Sequence, residues 1–260
     1  MITIAIVNRK GGVGKTTTAV SLGGAYARAG LRCLLIDLDP QASLTHSFRL
    51  DRLPAGDAAA LFDEAQVLPP ERLIVPTAFE GLSILPGSAS LDRHNHPDPA
   101  EFAGREYALR DLKAGADFDR ILIDCPPNLY LLSWAAMIAA DYVLTPTRAD
   151  RFGVQAIEVV NRAVAAARAK NSGLVQLGYI LSVHKKRSSI HTAYAESLRH
   201  RFPGLVLENA VPDAAAFLEA SAMQTPVGFC KPRSEAAKAV GRVAEEIETR
   251  IEMASAKAAA

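Results

Sequence analysis

Apolar residues fall along the chain in short unbroken runs: Ile2–Val7, Cys33–Ile36, Leu82–Leu85, Ile121–Ile123, Tyr142–Leu144, Leu177–Val183 and Leu205–Leu207. Rich in Ile, Val and Leu, these runs predict strands. Most lack polar alternation, which predicts burial on both faces, as in a parallel sheet covered by helices. Between them, Thr16–Ala29, Glu101–Lys113, Val154–Ala169, Ser189–Arg201 and Ser234–Met253 read as helices. This alternation predicts an α/β fold: a doubly wound, mostly parallel sheet with helices on both faces. Asp51–Pro99 is richer in Pro, Asp and Gly and predicts loops and short helices at one end. No repeat and no Gly/Ser linker interrupts the pattern, so residues 1–260 are expected to form one domain.

Composition narrows the class. At 49% hydrophobic and 22% charged residues, the chain has enough apolar material for a sizeable core, which excludes a disordered tail protein. No stretch approaches the ~18 apolar residues of a membrane-spanning helix. Met1–Val7 is apolar but has neither a basic leader nor a cleavage site, and so does not read as a signal peptide. Cys33, Cys125 and Cys230 are far apart, with no CxxC pair, which argues against a disulfide framework or a zinc knuckle and for a reducing cytoplasm. The net charge of +1 is uneven. Residues 1–150 carry 14 basic and 18 acidic side chains; residues 151–260 carry 15 and 10. A basic carboxy-terminal half is a mild hint of a polyanionic partner.

The most informative segment follows the first predicted strand: Asn8-Arg9-Lys10-Gly11-Gly12-Val13-Gly14-Lys15-Thr16-Thr17-Thr18, and then a helix. Glycines let backbone N–H groups curl around phosphate oxygens, and the positive end of the next helix points at the anion. Gly11, Gly12, Val13, Gly14, Lys15, Thr16 and Thr17 are the candidate nucleotide-binding residues. Lys15 is placed for the β- and γ-phosphates, and the Thr16 hydroxyl for Mg²⁺. The ordinary P-loop pattern requires glycine where this chain has Arg9, and a second lysine, Lys10, stands at the front of the loop.

This K-G-G-x-G-K-T form resembles the deviant Walker A loop of the ParA/MinD family of ATPases. Leu34-Leu35-Ile36-Asp37-Leu38-Asp39-Pro40-Gln41 is similar to the family's second-strand motif, and Phe118-Asp119-Arg120-Ile121-Leu122-Ile123-Asp124-Cys125-Pro126-Pro127 to its Walker B strand. The resemblance runs from residue 1 to about residue 250. Within the family it leans to ParA, on the Asp-Pro-Gln tripeptide and the Cys-Pro-Pro turn.

The resemblance implies a P-loop fold, ATP and Mg²⁺ as cofactors, and slow, dimer-dependent ATP hydrolysis. Asp124, at the end of an apolar strand, is placed to hold Mg²⁺ with Thr16. By resemblance Asp37 lies near the metal and Asp39 positions the attacking water. Lys10 would cross a dimer interface to touch the partner's phosphates and act like an arginine finger. Lys10, Lys15 and Asp39 are thus the candidate catalytic residues. Cys125 beside Asp124 invites comparison with the cluster cysteines of the nitrogenase iron protein. Pro126 and Pro127 flank it and no second cysteine is well placed, so it reads as a small buried apolar residue.

ParA proteins bind non-specific DNA through basic residues of the carboxy-terminal half. The matching turn here holds Lys185, Lys186 and Arg187, followed by Arg199 and Arg201. The next family segment departs. Where Ile-Pro-Arg-Asn-x-Arg is common, this chain has Val211-Pro212-Asp213-Ala214-Ala215-Ala216. Two arginines are replaced, which weakens the DNA case or moves the contact to residues such as Lys231 and Arg233, and leaves the adenine contacts open. The last predicted helix has an apolar stripe (Val240, Val243, Ile247, Ile251) and an acidic face (Glu245, Glu246, Glu248, Glu252). An anionic membrane would repel that face, so the stripe is expected to pack on the sheet, with no membrane partner.

The expectation is therefore a cytoplasmic, nucleoid-associated ParA-type ATPase. It would form an ATP-bound homodimer, bind non-specific DNA, and segregate a plasmid or chromosome with a ParB-like centromere-binding partner. Because the chain starts at the loop-bearing strand, no separate DNA-binding domain is expected ahead of it. One rival is the same switch acting on protein cargo, such as chemoreceptor clusters or carboxysomes. The other is a metabolic P-loop ligase resembling dethiobiotin synthetase, against which Lys10 argues.

Overall fold

The computed structural model describes residues 1–52, 54–63, 68–97, 104–110, 117–185 and 188–259. In chain order the regular elements are β1 (Ile2–Ile6), α1 (Lys15–Arg28), β2 (Cys33–Asp37), β3 (Val75–Pro76), β4 (Leu82–Leu85), β5 (Arg120–Asp124), α2 (Leu131–Ala139), β6 (Tyr142–Arg148), α3 (Gly153–Ala167), β7 (Val175–Ser182), α4 (Ser189–Arg201), α5 (Ala215–Ala222), α6 (Val227–Cys230) and α7 (Glu235–Ala259). Short 3₁₀ turns fill much of the rest, including Ala58–Leu61 and Ala89–His94.

The strands form one seven-stranded sheet in the order β3-β4-β2-β5-β1-β6-β7. Every pairing is parallel except β3 with β4. Side-chain alternation along β1 sends Ile4 and Ile6 to one face and Ala5 and Val7 to the other. On the first face these residues meet Leu22 and Tyr26 of α1 and Val243, Ile247 and Ile251 of α7. On the second they meet Leu132, Ala135 and Ala136 of α2 and Val160 and Val164 of α3. The doubly wound expectation holds, and so does the packing of the last helix on the sheet. Each buried Val, Leu or Ile side chain among these stabilises the fold by about 1.5–3 kcal/mol.

Several elements differ from the sequence reading. Leu205–Leu207 is no strand. It makes a single parallel bridge to β7, with Tyr179 N donating to Leu205 O (2.8 Å) and Leu207 N to Tyr179 O (2.9 Å), and the Arg250 guanidinium donates to the carbonyls of Gly204 (2.9 Å) and Val206 (3.2 Å). The helix expected over 101–113 lies partly outside the described residues; within it, Arg105–Tyr107 is a 3₁₀ turn. Two carboxylates of the supposed acidic face are structural: Glu246 accepts from the backbone N–H groups of Glu208 and Asn209, and Glu248 pairs with Arg120. Among the described residues, no helix is long and apolar enough to cross a membrane.

Because β1, β2, β5, β6 and β7 run parallel, their carboxyl ends share one edge of the sheet. The loops after β1, β2 and β5 converge there, where ligands bind in open α/β sheets.

Candidate functional site

The loop between β1 and α1 is built from within. The Asn8 side-chain amide donates to the Pro146 carbonyl (2.8 Å), and its oxygen accepts from Lys10 N (2.9 Å). Gly12 (φ 68°) and Gly14 (φ 83°) adopt left-handed backbone that a side chain would strain. Val13 is buried beneath the loop, and its carbonyl accepts from the Ser182 hydroxyl (2.5 Å), which also donates to Thr147 (3.1 Å). The ends of β6 and β7 thus support the loop from below. Helix α1 begins at Lys15 without a side-chain cap and without an acidic residue in its first turn, so its N-terminal N–H groups face the loop.

Above lies an open cavity of about 490 Å³, lined on one side by Gly11, Gly12, Gly14, Lys15, Thr16, Thr17 and Asp39. Its other wall includes Val20, Phe217, Ala220 and Val227, an apolar surface suited to the flat part of a nucleotide. The sequence-predicted binding residues therefore come together, with Val13 contributing backbone only. Phe217, Ala220 and Val227, from α5 and α6, were missed: no phosphate-type motif marks a base-side wall.

Two carboxylates stand under the loop. Asp37 and Asp124 are fully buried neighbours in the β2–β5 register. Asp124 Oδ2 accepts from the Thr16 hydroxyl (2.6 Å), while its buried Oδ1 has no hydrogen-bond partner. Burial, reinforced by the charge of Asp37, pushes the Asp124 carboxyl up to about 8. Burial likewise raises Asp37 to about 6, against the hydrogen bonds it accepts. Lys15 is also buried, which lowers its ammonium pKa, and the charge of Asp124 opposes that shift. An orphan carboxyl oxygen beside a hydroxyl, in a dry place where the anion is costly until a cation compensates it, fits a small divalent cation that keeps waters and ligand oxygens in its shell. Thr16 and Asp124 are the candidates to hold it. Among the described residues no cluster of three or more His, Cys, Asp or Glu is arranged for a metal, so a dedicated all-protein cage is not what this site offers. Cys125 is fully buried and its thiol is pushed far up by burial.

Asp37 does not point an open oxygen at the cavity. Its Oδ1 accepts from Asp39 N (3.1 Å), and its Oδ2 accepts from Thr45 N (2.8 Å) and the Thr45 hydroxyl (2.7 Å). Asp39 does line the cavity, with its Oδ1 accepting from Gln41 N (3.0 Å).

Lys10 behaves unlike Lys15. Its ammonium leaves its own chain's cavity and pairs with Asp150 at the end of β6 (2.7 Å), 5.4 Å from the Phe152 ring centroid. It lines a neighbouring surface groove with Arg9, Phe152 and Arg162. Partial burial pushes the Asp150 carboxyl up, but the Lys10 hydrogen bond and charge, the Phe152 N–H and the Arg148 charge together hold it below the usual carboxylate range.

Of the expected DNA-contacting residues, Lys186 and Arg187 lie outside the described residues. Lys185 is exposed, and its ammonium pairs with Asp213 (3.2 Å). Arg201 pairs with Glu158 (3.1 Å) and Lys231 with Glu219.

Strand, left-handed glycine loop, uncapped helix and buried carboxylate define a P-loop nucleotide-binding protein. The AAA domain family matches residues 1–175. The chromosome partitioning protein ParA of Caulobacter vibrioides is 33% identical, covering 98% of this chain and 97% of its own. The sporulation initiation inhibitor protein Soj of Bacillus subtilis is 30% identical, covering 94% and 97%. Among solved structures, a cobyrinic acid a,c-diamide synthase from Mycobacterium smegmatis, with bound ATP analog and magnesium, has TM-score 0.79 and 29% identity, covering 94% and 93%. The chain belongs to the ParA/MinD family of P-loop ATPases, on its ParA side.

Proposed function

We propose that residues 1–260 act as one partition ATPase domain that alternates between a free form and an ATP-bound homodimer on DNA. The observation that carries this reading is the position of Lys10. It lines no part of its own chain's nucleotide cavity and stands at the rim, paired with a surface carboxylate it can exchange.

ATP would lie with its phosphates against the Gly11–Gly14 loop and the first turn of α1, and its base against Phe217 and Val227. Lys15 neutralises phosphate charge, and Thr16 and Asp124 hold Mg²⁺, which supplies further positive charge when bound. Asp39 orients the attacking water, and Asp37 fixes the segment on which Asp39 stands. Lys10 leaves Asp150 for the phosphates bound by the partner, so turnover depends on dimerisation. Lys185, Lys186 and Arg187 contact the phosphate backbone of non-specific DNA in the nucleoid. A ParB-like centromere-binding protein then stimulates hydrolysis and releases the dimer, segregating a plasmid or chromosome. Protein cargo would use the same switch.

Binding to a non-specific duplex, measured with ATP, with ADP and without nucleotide over a salt series, tests this reading. Binding only with ATP, falling steeply with salt, is expected. No binding by a proven ATP dimer would contradict it.

A second reading is favoured by the Mycobacterium smegmatis neighbour, whose name is that of an amide-forming synthase. A ligase of that kind would turn over ATP faster with a small carboxylic acid and be indifferent to DNA. Lys10 has no role in such a reaction.

A further inference from the structure

Asp39 stands on the segment Leu38–Leu44, which leaves the carboxyl end of β2 without regular structure. A carboxylate that must aim a water molecule cannot be left on a loose loop. This segment is closed at both ends on one buried side chain. Asp37 Oδ1 accepts from Asp39 N, and Asp37 Oδ2 accepts from both the backbone N–H and the hydroxyl of Thr45. Between the two closures, Ala42 sits in the left-handed region (φ 52°) and donates to Asp39 O (2.8 Å), while Leu44 is fully buried. A left-handed alanine costs about 1–2 kcal/mol and persists only where its surroundings impose it.

Thr45 is the point where these constraints meet. Its hydroxyl oxygen also accepts from Gly87 N (2.9 Å) in the loop after β4. That loop presses on Asp37: a Cβ on Gly87 would lie 2.7 Å from the Asp37 carbonyl oxygen and 3.0 Å from its Cγ. One hydroxyl therefore ties the Asp39 segment to the β2 carboxylate and to the β4 loop together, and both its donor and its acceptor capacity are used within the protein.

We propose that Thr45 is a positioning residue for ATP hydrolysis, its hydroxyl holding Asp37 and the Leu38–Leu44 segment so that Asp39 keeps its aim at the nucleotide cavity. The inference rests on the role proposed above for Asp39. Thr45 touches no substrate; it acts through Asp37.

Three variants of the full chain test this: Thr45→Val, isosteric but without the hydroxyl; Thr45→Ala, which also lacks it and adds no methyl beside Asp37; and Thr45→Ser, which restores it. Steady-state phosphate release gives kcat, and binding of a fluorescent ATP analogue with Mg²⁺ gives affinity. The expected result is a kcat loss of more than fivefold in both Val and Ala variants, affinity within threefold of the parent, and recovery to within threefold in Thr45→Ser. A kcat loss of less than fivefold, an affinity loss in step with kcat, or no recovery with serine overturns the proposal. If Thr45→Val does not fold, Thr45→Ala and Thr45→Ser decide alone. Asp39→Ala separates the two levels. Parental turnover in that variant defeats the role of Asp39 itself; impaired Asp39→Ala beside unaffected Thr45→Val defeats the inference about Thr45 only.

Discussion

Lys185 and Asp213 show how one residue changes a surface. The family's arginine-bearing segment places Asp213 here, and its carboxylate sits 3.2 Å from the Lys185 ammonium. An exposed pair of this kind adds little stability, but it cancels a charge that would otherwise face a polyanion. Asp213→Asn should therefore strengthen non-specific DNA binding by on the order of fivefold at low salt. It should also steepen the slope of log K against log salt by about one phosphate contact, a change of ~0.9. Unchanged affinity and slope in a salt titration would remove Lys185 from the interface. At this scale the sequence was informative where chemistry is local. Gly11–Thr17 are contiguous across the loop and the first turn of α1, and their spacing alone implies what they hold. Asp150, Thr45 and Phe217 were not singled out, because each matters through contacts across the fold: Asp150 with Lys10, Thr45 with Asp37 and Gly87, Phe217 through the cavity wall.

Among the elements, α7 does more than cover the sheet. Glu246 and Arg250, one turn apart, are joined through Arg250 Nη2 (3.0 Å) and brace the chain between α4 and α5. Glu246 accepts from Glu208 N and Asn209 N (both 2.9 Å), and Arg250 donates to the carbonyls of Gly204 and Val206. That segment has no ladder of its own beyond one bridge. Breaking a largely buried pair leaves its partner uncompensated, so Arg250→Ala should lower stability by about 3 kcal/mol. For a chain of this size the melting temperature should fall by about 5–10 °C in a thermal scan. A fall of under 2 °C would mean that the Glu246–Arg250 pair does not brace this segment. Leu205–Leu207 pairs with β7 only around Tyr179, whose N–H donates to the Leu205 carbonyl (2.8 Å), while the Val206 carbonyl goes to the Arg250 guanidinium (3.2 Å). Helix α2 escaped the sequence reading for a different reason. It is apolar nearly all round and buried on nearly every side, leaving no polar face to set a helical period.

For the whole molecule, the parallel sheet brings the loops after β1, β2 and β5 to one edge and leaves Lys10 at its rim. The doubly wound, mostly parallel sheet was readable in advance because continuous apolar strands alternating with helices admit few topologies; the strand order was not. The antiparallel edge pair of β3 with β4 was not readable, since Val75–Pro76 is too short to carry a pattern. The central claim is that catalysis is completed by a lysine from a second copy of the chain. Specific turnover measured against protein concentration, for the parent chain and for Lys10→Ala, tests it most directly. The account predicts that specific activity of the parent rises with concentration until dimers saturate. It also predicts that Lys10→Ala still binds ATP but stays at a low, concentration-independent rate. Parental turnover in Lys10→Ala, or a specific activity independent of concentration down to the monomer, would contradict it.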